Sequence, residues 1–229
     1  MKRVAIVQSN YIPWKGYFDL INMVDEFIIL DEVDYTVRDW RNRNKIKVAT
    51  GAIWLTIPVQ RERGRRQSIN ETCISDVSWN MKHWETIRRN YARAKCFKEY
   101  GTLIEKLYSS VCSNMLSEVN FDFLSGLCEI LGIDTPLTRS RDYGVSEGKT
   151  SRLVDLCKKA GADCYLSGPS ASDYLDESEF SDAGIAVEWM NYDGYKEYSQ
   201  LYGEFIHGVS VIDLILNEGR HASDFMISF

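Results

Sequence analysis

The sequence predicts an α/β protein with a mainly parallel sheet and a helical insertion, and three observations support this fold class. The chain has 229 residues and 45% hydrophobic content, enough for one substantial core, so we expect residues 1–229 to form a single domain. Short apolar runs of strand length alternate with helical patterns, which is typical of βαβ units. A long helical section at about 80–132 interrupts this alternation and indicates the insertion.

The first elements predict a βαβ unit whose two strands end at the same edge of the sheet. VAIV at 4–7 and FIIL at 27–30 are typical of buried strands, and residues 16–23 between them indicate a short helix. In open parallel sheets, ligands bind at the carboxyl ends of the strands. We therefore expect the polar residues that follow both strands to share one cleft.

The later elements continue the alternation. Residues 45–48 and 53–57 predict a hairpin joined by 49–52, and the basic segment RERGRRQ at 61–67 predicts a loop. The insertion divides into three predicted helices, with breaks near 100–101 and 113. Further strands are predicted at 74–77, 136–138, 164–166 and 185–189, and further helices at 150–160, 195–205 and 210–217.

Charge and composition argue against several classes of protein. The net charge of −6 disfavours a general nucleic-acid or membrane-surface binder. No apolar run approaches the roughly 20 residues of a membrane span, and MKRVAIVQSN reaches polar residues too early for a signal peptide. We therefore expect a cytoplasmic protein. The six cysteines form no CxxC pair and the three histidines no HxH or HxxxH spacing, so the sequence predicts no metal site.

Amide and aromatic side chains gather where the first strand runs into the first helix. Gln8 and Asn10 follow the strand, and Tyr11, Trp14 and Tyr17 lie around the helix start. Backbone N–H groups at a helix start attract anions, and neither a GxGxxG nor a P-loop pattern is present. These five residues are candidate substrate contacts. The alternative is structural, with Asn10 capping the helix while the aromatic rings pack over the sheet.

A charged and aromatic segment follows the second strand. Its carboxylates, Asp31 and Asp34, suit a ligand amine, a hydroxyl or Mg²⁺. Trp40 suits stacking on a flat or sugar-like ligand, and an arginine fork can hold a phosphate through two hydrogen bonds. The other candidate contacts are Arg41, Asn42, Arg43 and Asn44. A solvated surface is the alternative, and which arginine of 38–43 faces the cleft stays open, because a one-residue slip reverses the facing of an extended segment.

A third set of candidates lies at later strand ends. Lys149 stands at a predicted helix start, where a cation is unfavourable unless an anion binds nearby, so we expect it to contact a phosphate. Ser167 and Gly168 follow a predicted strand and would let the backbone approach a substrate closely. A plain turn explains this pair equally well.

The sequence resembles the WbqC-like family over essentially the whole chain. The resemblance is carried by QSNYIPWKGYFDLI at 8–21, FIILDEVDYTVRDWRNRNKI at 27–46, WLTIPV at 54–59 and KTSRLVDLCKKAGADCYLSG at 149–168. The family is associated with bacterial gene clusters for surface polysaccharide, including the O-antigen of lipopolysaccharide, and a glycine-transferase role has been proposed for it. The resemblance therefore implies a role in O-antigen biosynthesis.

The opening is also similar to that of the nucleotidyltransferase and pantothenate-synthetase group, which implies a Rossmann-like fold of the HUP type. In that group a strand leads into an HxGH-type motif at a helix start that holds the phosphates of ATP. Trp14-Lys15-Gly16-Tyr17 occupies the equivalent place here, with the glycine kept and both histidines absent. Lys15 would then supply the positive charge.

Together these features predict an enzyme that joins an amino acid, such as glycine, or a similar acyl group to an amine on a nucleotide-linked amino sugar. In an adenylate route ATP with Mg²⁺ activates the carboxylate, whereas a thioester or an acyl carrier protein would deliver the group already activated. Asp31 or Asp34 would orient the amine. The alternatives are a nucleotidyltransferase that releases pyrophosphate and a non-catalytic module that binds a nucleotide sugar or a carrier protein. Four cations would stabilise phosphate charge: Lys15, Arg41, Arg43 and Lys149.

Overall fold

Five parallel strands form the central sheet of the computed structural model, which describes residues 1–61, 66–144 and 146–229. The strands of the chain are β1 (Arg3–Val7), β2 (Glu26–Ile29), β3 (Arg43–Val48), β4 (Gly51–Thr56), β5 (Leu137–Arg139), β6 (Cys164–Ser167) and β7 (Ala186–Trp189). The sheet has the order β5-β2-β1-β6-β7, and every neighbouring pair is parallel. This is the doubly wound order of Rossmann-like folds, so the predicted fold class is confirmed.

Helices cover both faces of this sheet. Within the described residues they are α1 (Lys15–Asn22), α2 (Trp79–Tyr91), α3 (Phe97–Ser109), α4 (Leu116–Leu131), α5 (Thr150–Lys159), α6 (Glu177–Asp182) and α7 (Val211–Glu218). On β1, Val4 and Ile6 pack with α5 and α6, whereas Ala5 faces the core formed with α1, α7 and the insertion helices α2 to α4. Parallel strands covered on both faces are apolar throughout, as VAIV is. In the described part of the chain, no helix has the length and apolar character needed to cross a membrane.

The antiparallel hairpin of β3 and β4 lies against the segment that leaves β1. The Tyr11 N–H donates to the Trp40 carbonyl at 3.0 Å. The side-chain amide of Asn44 donates to the Tyr11 carbonyl at 3.2 Å. Farther along β3, the Lys45 carbonyl accepts from the Ser210 N–H at 2.8 Å. These bonds bring the charged 38–44 segment beside the polar residues at the end of β1.

Three element predictions are wrong. Residues 74–77 form no strand, because Ile74 makes only an isolated bridge to Val59 and Val77 is exposed. The break expected at 100–101 lies inside α3, and the chain turns before Phe97 instead. The helix expected at 195–205 is irregular. In the predicted loop 61–67, residues 62–65 lie outside the described residues.

The irregular 195–205 segment is held by its side chains. The Tyr195 hydroxyl donates to Asp19 of α1, and the Tyr198 hydroxyl donates to Asp213 of α7 at 2.8 Å. Tyr202 has a positive φ of 64°, which a helix excludes. Long-range hydrogen bonds therefore replace the local ones that a helix would make.

Candidate functional site

The chain changes direction between β1 and β6, and this point defines the candidate site. β1 leads through α1 to β2 on one side, whereas β6 leads through α6 to β7 on the other. The two connections diverge and leave a crevice at the carboxyl ends of the two central strands. Ligands of open α/β sheets bind at such a position. The polar residues after β1 and β6 therefore face a common space.

A cavity of about 300 Å³ fills this crevice, and we name it the switch-point cavity. Its floor is formed by strand residues such as Val7 and Tyr165, and its polar rim by Gln8, Ser167 and Gly168. The sequence predicted one cleft for the polar residues after β1 and β2, but Asp31 and Asp34 after β2 do not line this cavity. The end of β6 completes the cleft with that of β1 instead. The aromatic wall of the cavity is formed by Trp14, Tyr17, Tyr174 and Tyr192.

Two cations stand at the start of α5 on the wall of the switch-point cavity. Lys149 occupies the N-cap position, is exposed, and makes no side-chain capping bond. Arg152 lies one turn later, where its Nε donates to the Ser146 carbonyl at 2.7 Å. No other hydrogen bond of this guanidinium is made to the described residues. Because a helix start carries free N–H groups and partial positive charge, this wall suits a phosphate.

Tyr17 and Tyr192 present neutral hydroxyl groups to the same cavity. The Tyr17 hydroxyl donates to the Gln8 carbonyl at 2.9 Å, and burial, reinforced by the charge of Asp31, raises the pKa of Tyr17 well above its usual value. Burial raises the pKa of Tyr192 to about 12, and the charge of Asp19 adds to this rise. Both phenols stay protonated at neutral pH, so Tyr17 keeps its bond to Gln8 and Tyr192 can donate a hydrogen bond to a ligand.

The indole of Trp14 forms part of a second cavity of about 320 Å³, which we name the hairpin cavity. Its other lining residues include Asn10, Trp40, Asn44 and His207. Since Trp14 lines both spaces, the two cavities adjoin at this ring. The position of the ring explains the glycine of the WKGY motif. A Cβ on residue 16 would lie 2.3 Å from the Trp14 ring, so only glycine fits beneath it.

Arg41 is the arginine of the 38–43 segment that contacts the end of β1. Its guanidinium donates to the side-chain oxygen of Asn10 and, at 3.2 Å, to that of Gln8. Asp39 lies 3.6 Å away as its ion-pair partner. Arg41 therefore orients one amide of each cavity, Gln8 in the switch-point cavity and Asn10 in the hairpin cavity.

His207 lines the hairpin cavity and lies on a loop that the Gln200 side chain holds through hydrogen bonds to its backbone. The Gln200 amide donates to the Ile206 carbonyl at 3.0 Å and accepts from the Ile206 N–H at 2.9 Å. The same amide nitrogen donates to buried Asp213 at 2.9 Å. Burial and the charge of Lys15 lower the pKa of His207. The imidazole is therefore neutral near pH 7 and can accept a proton.

A family model described as the WbqC-like protein family matches residues 8–225. The chain belongs to this family. It is also similar to an uncharacterized protein of Mycobacterium tuberculosis, Rv1507c, with 48% identity over 226 residues, which cover 99% of this chain and 98% of that protein. No solved structure matches the chain.

In this WbqC-like protein, the start of α1 does not fit the phosphate role that the HxGH resemblance implies. Lys15 is buried, and its ammonium donates to the carbonyls of Phe225 at 2.8 Å and Lys196 at 3.2 Å. Burial lowers the pKa of Lys15 to about 8. The Trp14 ring covers Gly16 at the same helix start. The phosphate-suited cations thus belong to α5 and not to α1.

Tyr11 and Asp31 also lie away from both cavities, which departs from their expected roles. Tyr11 is fully buried, with its hydroxyl 2.9 Å from His83 Nδ1 and 2.7 Å from the Tyr108 hydroxyl. Asp31 is buried, and its carboxylate accepts from the Ser9 N–H at 2.9 Å and from a serine hydroxyl of α4. Both side chains fix the segment after β1 to the helical insertion.

The remaining predicted residues lie on the hairpin or at the surface. Asp34 is exposed, with Arg66 3.9 Å away. The Arg43 guanidinium stacks on the Trp54 ring at 4.0 Å and donates to the carbonyl of a nearby loop residue. Asn42 is buried and donates to the Ile57 carbonyl at 2.7 Å. None of these three lines the described walls of either cavity.

Tyr192 and His207 were not among the predicted site residues. Tyr192 follows β7 by three residues, so the rule that ligands bind after parallel strands could have identified it. His207 had no such signal, because tertiary contacts place its loop. Among the described residues, no group of three or more His, Cys, Asp or Glu side chains could hold a metal ion.

Proposed function

We propose that this WbqC-like protein is a transferase of bacterial surface-polysaccharide or amino-sugar biosynthesis. It would join an amino acid, such as glycine, or a similar acyl group to the amine of a nucleotide-linked amino sugar. The observation that carries this proposal is the pair of adjoining cavities that share Trp14. One has a wall suited to phosphate, and the other combines amide groups with a neutral imidazole.

The switch-point cavity would hold the nucleotide part of the acceptor. Lys149 and Arg152 line this cavity, and together with the free N–H groups of α5 they would bind its diphosphate. The aromatic wall would stack on the base or ribose. The sugar would then extend past Trp14 into the hairpin cavity, where Asn10 would bind its hydroxyl groups.

The hairpin cavity would be the place of the reaction. The amine nitrogen attacks the carbonyl carbon of an activated acyl donor, the bond to the leaving group breaks, and the amine loses one proton. His207 would accept that proton, because its lowered pKa keeps it neutral. Holding both reactants in one geometry would supply most of the acceleration. A thioester donor suits this site, since the start of α1 lacks the cations that would hold ATP.

The direct test is turnover followed by mass spectrometry. The protein is incubated with UDP-glucosamine and glycyl coenzyme A, and in parallel with UDP-glucosamine, glycine, ATP and Mg²⁺. A product heavier by one glycyl group, lost in His207→Gln, supports the proposal, and the arm that yields it identifies the donor. Loss of pyrophosphate with retention of the nucleotide would indicate a nucleotidyltransferase. Saturable binding without turnover of any sugar nucleotide would indicate a binding module.

A further inference from the structure

Two exposed indoles and two cations form a continuous surface on the outer face of the hairpin. Trp40 is 43% exposed and Trp54 is 40% exposed, and their ring centroids lie 5.4 Å apart. In the hairpin register, Lys45 is paired with Trp54, and Arg43 lies two residues earlier on the same face. We name Trp40, Arg43, Lys45 and Trp54 the indole platform. Large apolar rings in water are unfavourable, so their clustering indicates a binding surface.

Both cations of the indole platform lie close to the Trp54 ring. The Arg43 guanidinium lies 4.0 Å and the Lys45 ammonium 4.9 Å from the centre of the Trp54 ring. Neither forms an ion pair with a carboxylate in the part of the chain that the structure describes. Stacking on indole and, for Arg43, a hydrogen bond to the Arg38 carbonyl account for the positions of the cations, and Asp39 offsets part of the charge of Arg43. The two like charges beside one ring still repel each other. An anion bound between them would relieve this repulsion in a chain whose net charge is −6.

The indole platform borders the hairpin cavity, because Trp40 belongs to both. A ligand in the cavity can therefore extend onto the platform without leaving the surface. Carboxylates limit the positive area, since Asp39 interacts electrostatically with Arg43 and Asp34 is close in sequence. This positive area is too small to bind an acidic protein, but it matches the size of a single charged substituent on a small ligand.

We propose that the indole platform binds a sugar ring that carries a negatively charged substituent, either a carboxylate or a phosphate. The apolar face of the ring would lie on Trp54 and Trp40, and the anion would bind Arg43 and Lys45. This proposal deepens the proposed function, on which it rests, by naming the substrate class: the acceptor is an acidic sugar. The two cations would recognise the anionic substituent on the side of the sugar ring that points away from the nucleotide.

The test is a titration of the indole N–H signals in a ¹⁵N-labelled protein, since the chain has only six tryptophans. Glucuronic acid, glucose 1-phosphate and glucose are the probes, and Trp40→Phe and Trp54→Phe assign the two signals. We expect saturable shifts of both signals, with either acidic sugar binding about fivefold more tightly than glucose at low salt. High salt should reduce this preference. The tighter of the two acidic probes identifies the anion.

Matched variants separate the contributions of rings and charges. Trp54→Ala should lower the affinity for every sugar about tenfold. The double variant Arg43→Gln with Lys45→Gln should lower the affinity only for the acidic sugars. Met81→Ala and Lys98→Ala, which remove an exposed apolar and an exposed basic side chain elsewhere, should change nothing. Equal affinity for glucuronic acid and glucose, or no saturable shift of either indole, would overturn the proposal.

The same spectra distinguish this proposal from the proposed function. UDP should move the Trp14 signal through the switch-point cavity and leave the two platform signals in place. If UDP binds and the acidic sugars do not, the platform proposal fails alone. If the acidic sugars bind the platform while neither UDP-glucosamine nor its 6-carboxylate analogue is acylated, the transferase proposal fails and the platform remains a carbohydrate site.

Discussion

Replacing Asp31 by alanine should lower the free energy of unfolding by about 3–6 kcal/mol, because two charge-assisted hydrogen bonds of about 1.5–3 kcal/mol each are lost. The carboxylate accepts from the Ser9 N–H at 2.9 Å and from the Ser117 hydroxyl, and it is buried. The loss is large beside a total stability of about 5–15 kcal/mol for a typical domain. Asp31→Asn keeps the shape and replaces charged bonds by neutral ones, so it should lose about half as much.

Urea unfolding followed by circular dichroism measures both variants, with an unchanged m-value as the sign that only stability has changed. Asp34→Asn is the matched control, since Asp34 is exposed and its partner Arg66 lies 3.9 Å away. Its effect should stay below about 0.5 kcal/mol. While folded, Asp31→Asn should bind UDP within about threefold of the wild type, a change of less than about 1 kcal/mol. Full stability of Asp31→Asn together with complete loss of turnover would refute a structural role and restore a catalytic one.

Three further predictions concern pH, the helix start and the clamped loop. Because burial lowers the pKa of His83 to about 4, the unfolded chain gains a proton below pH ~6.5 that the folded chain does not. Acidification from pH 7 to 4 should thus lower the free energy of unfolding of the wild type by about 3 kcal/mol more than that of His83→Gln, as measured by urea unfolding. Equal losses in the two proteins would contradict this. Gly16→Ala should displace the Trp14 ring and weaken UDP binding about tenfold by calorimetry, with unchanged affinity as the contrary result. Gln200→Ala should free the His207 loop, so that the imidazole titrates closer to 6.5 by NMR; an unmoved titration would show that the clamp has no effect on it.

The sheet could be predicted from the sequence because its strands are short apolar runs with no competing pattern. The irregular 195–205 segment could not, since its tyrosines make hydrogen bonds to residues distant in sequence. Gly101 looked like a helix break, yet it is buried within α3, where an added Cβ would lie 3.3 Å from the Phe97 ring one turn earlier. The long-range bonds of the tyrosines and the burial of Gly101 override local preference, and no periodicity reveals them.

The site was predictable to the extent that strand ends determine it. Gln8, Lys149 and Ser167 follow strands or begin a helix, and all three line the switch-point cavity. Lys15 sits one residue from a cavity-lining ring but points into the carbonyls of the C-terminal segment. The direction in which a side chain points at a helix start depends on the residues that pack against that helix in the folded protein. Residue type and position therefore identified the edge of the sheet and left the direction of single side chains open.

The most direct measurement of the central claim is a calorimetric titration of the protein with UDP. The wild type is compared with Lys149→Ala combined with Arg152→Ala, and with Lys158→Ala, an exposed cation at the opposite end of the same helix. The account predicts saturable binding that weakens at least about 30-fold in the double variant, because two charge-assisted contacts are lost, and that is unchanged in Lys158→Ala. Binding of equal strength in all three proteins, or no binding of UDP to the wild type, would contradict it.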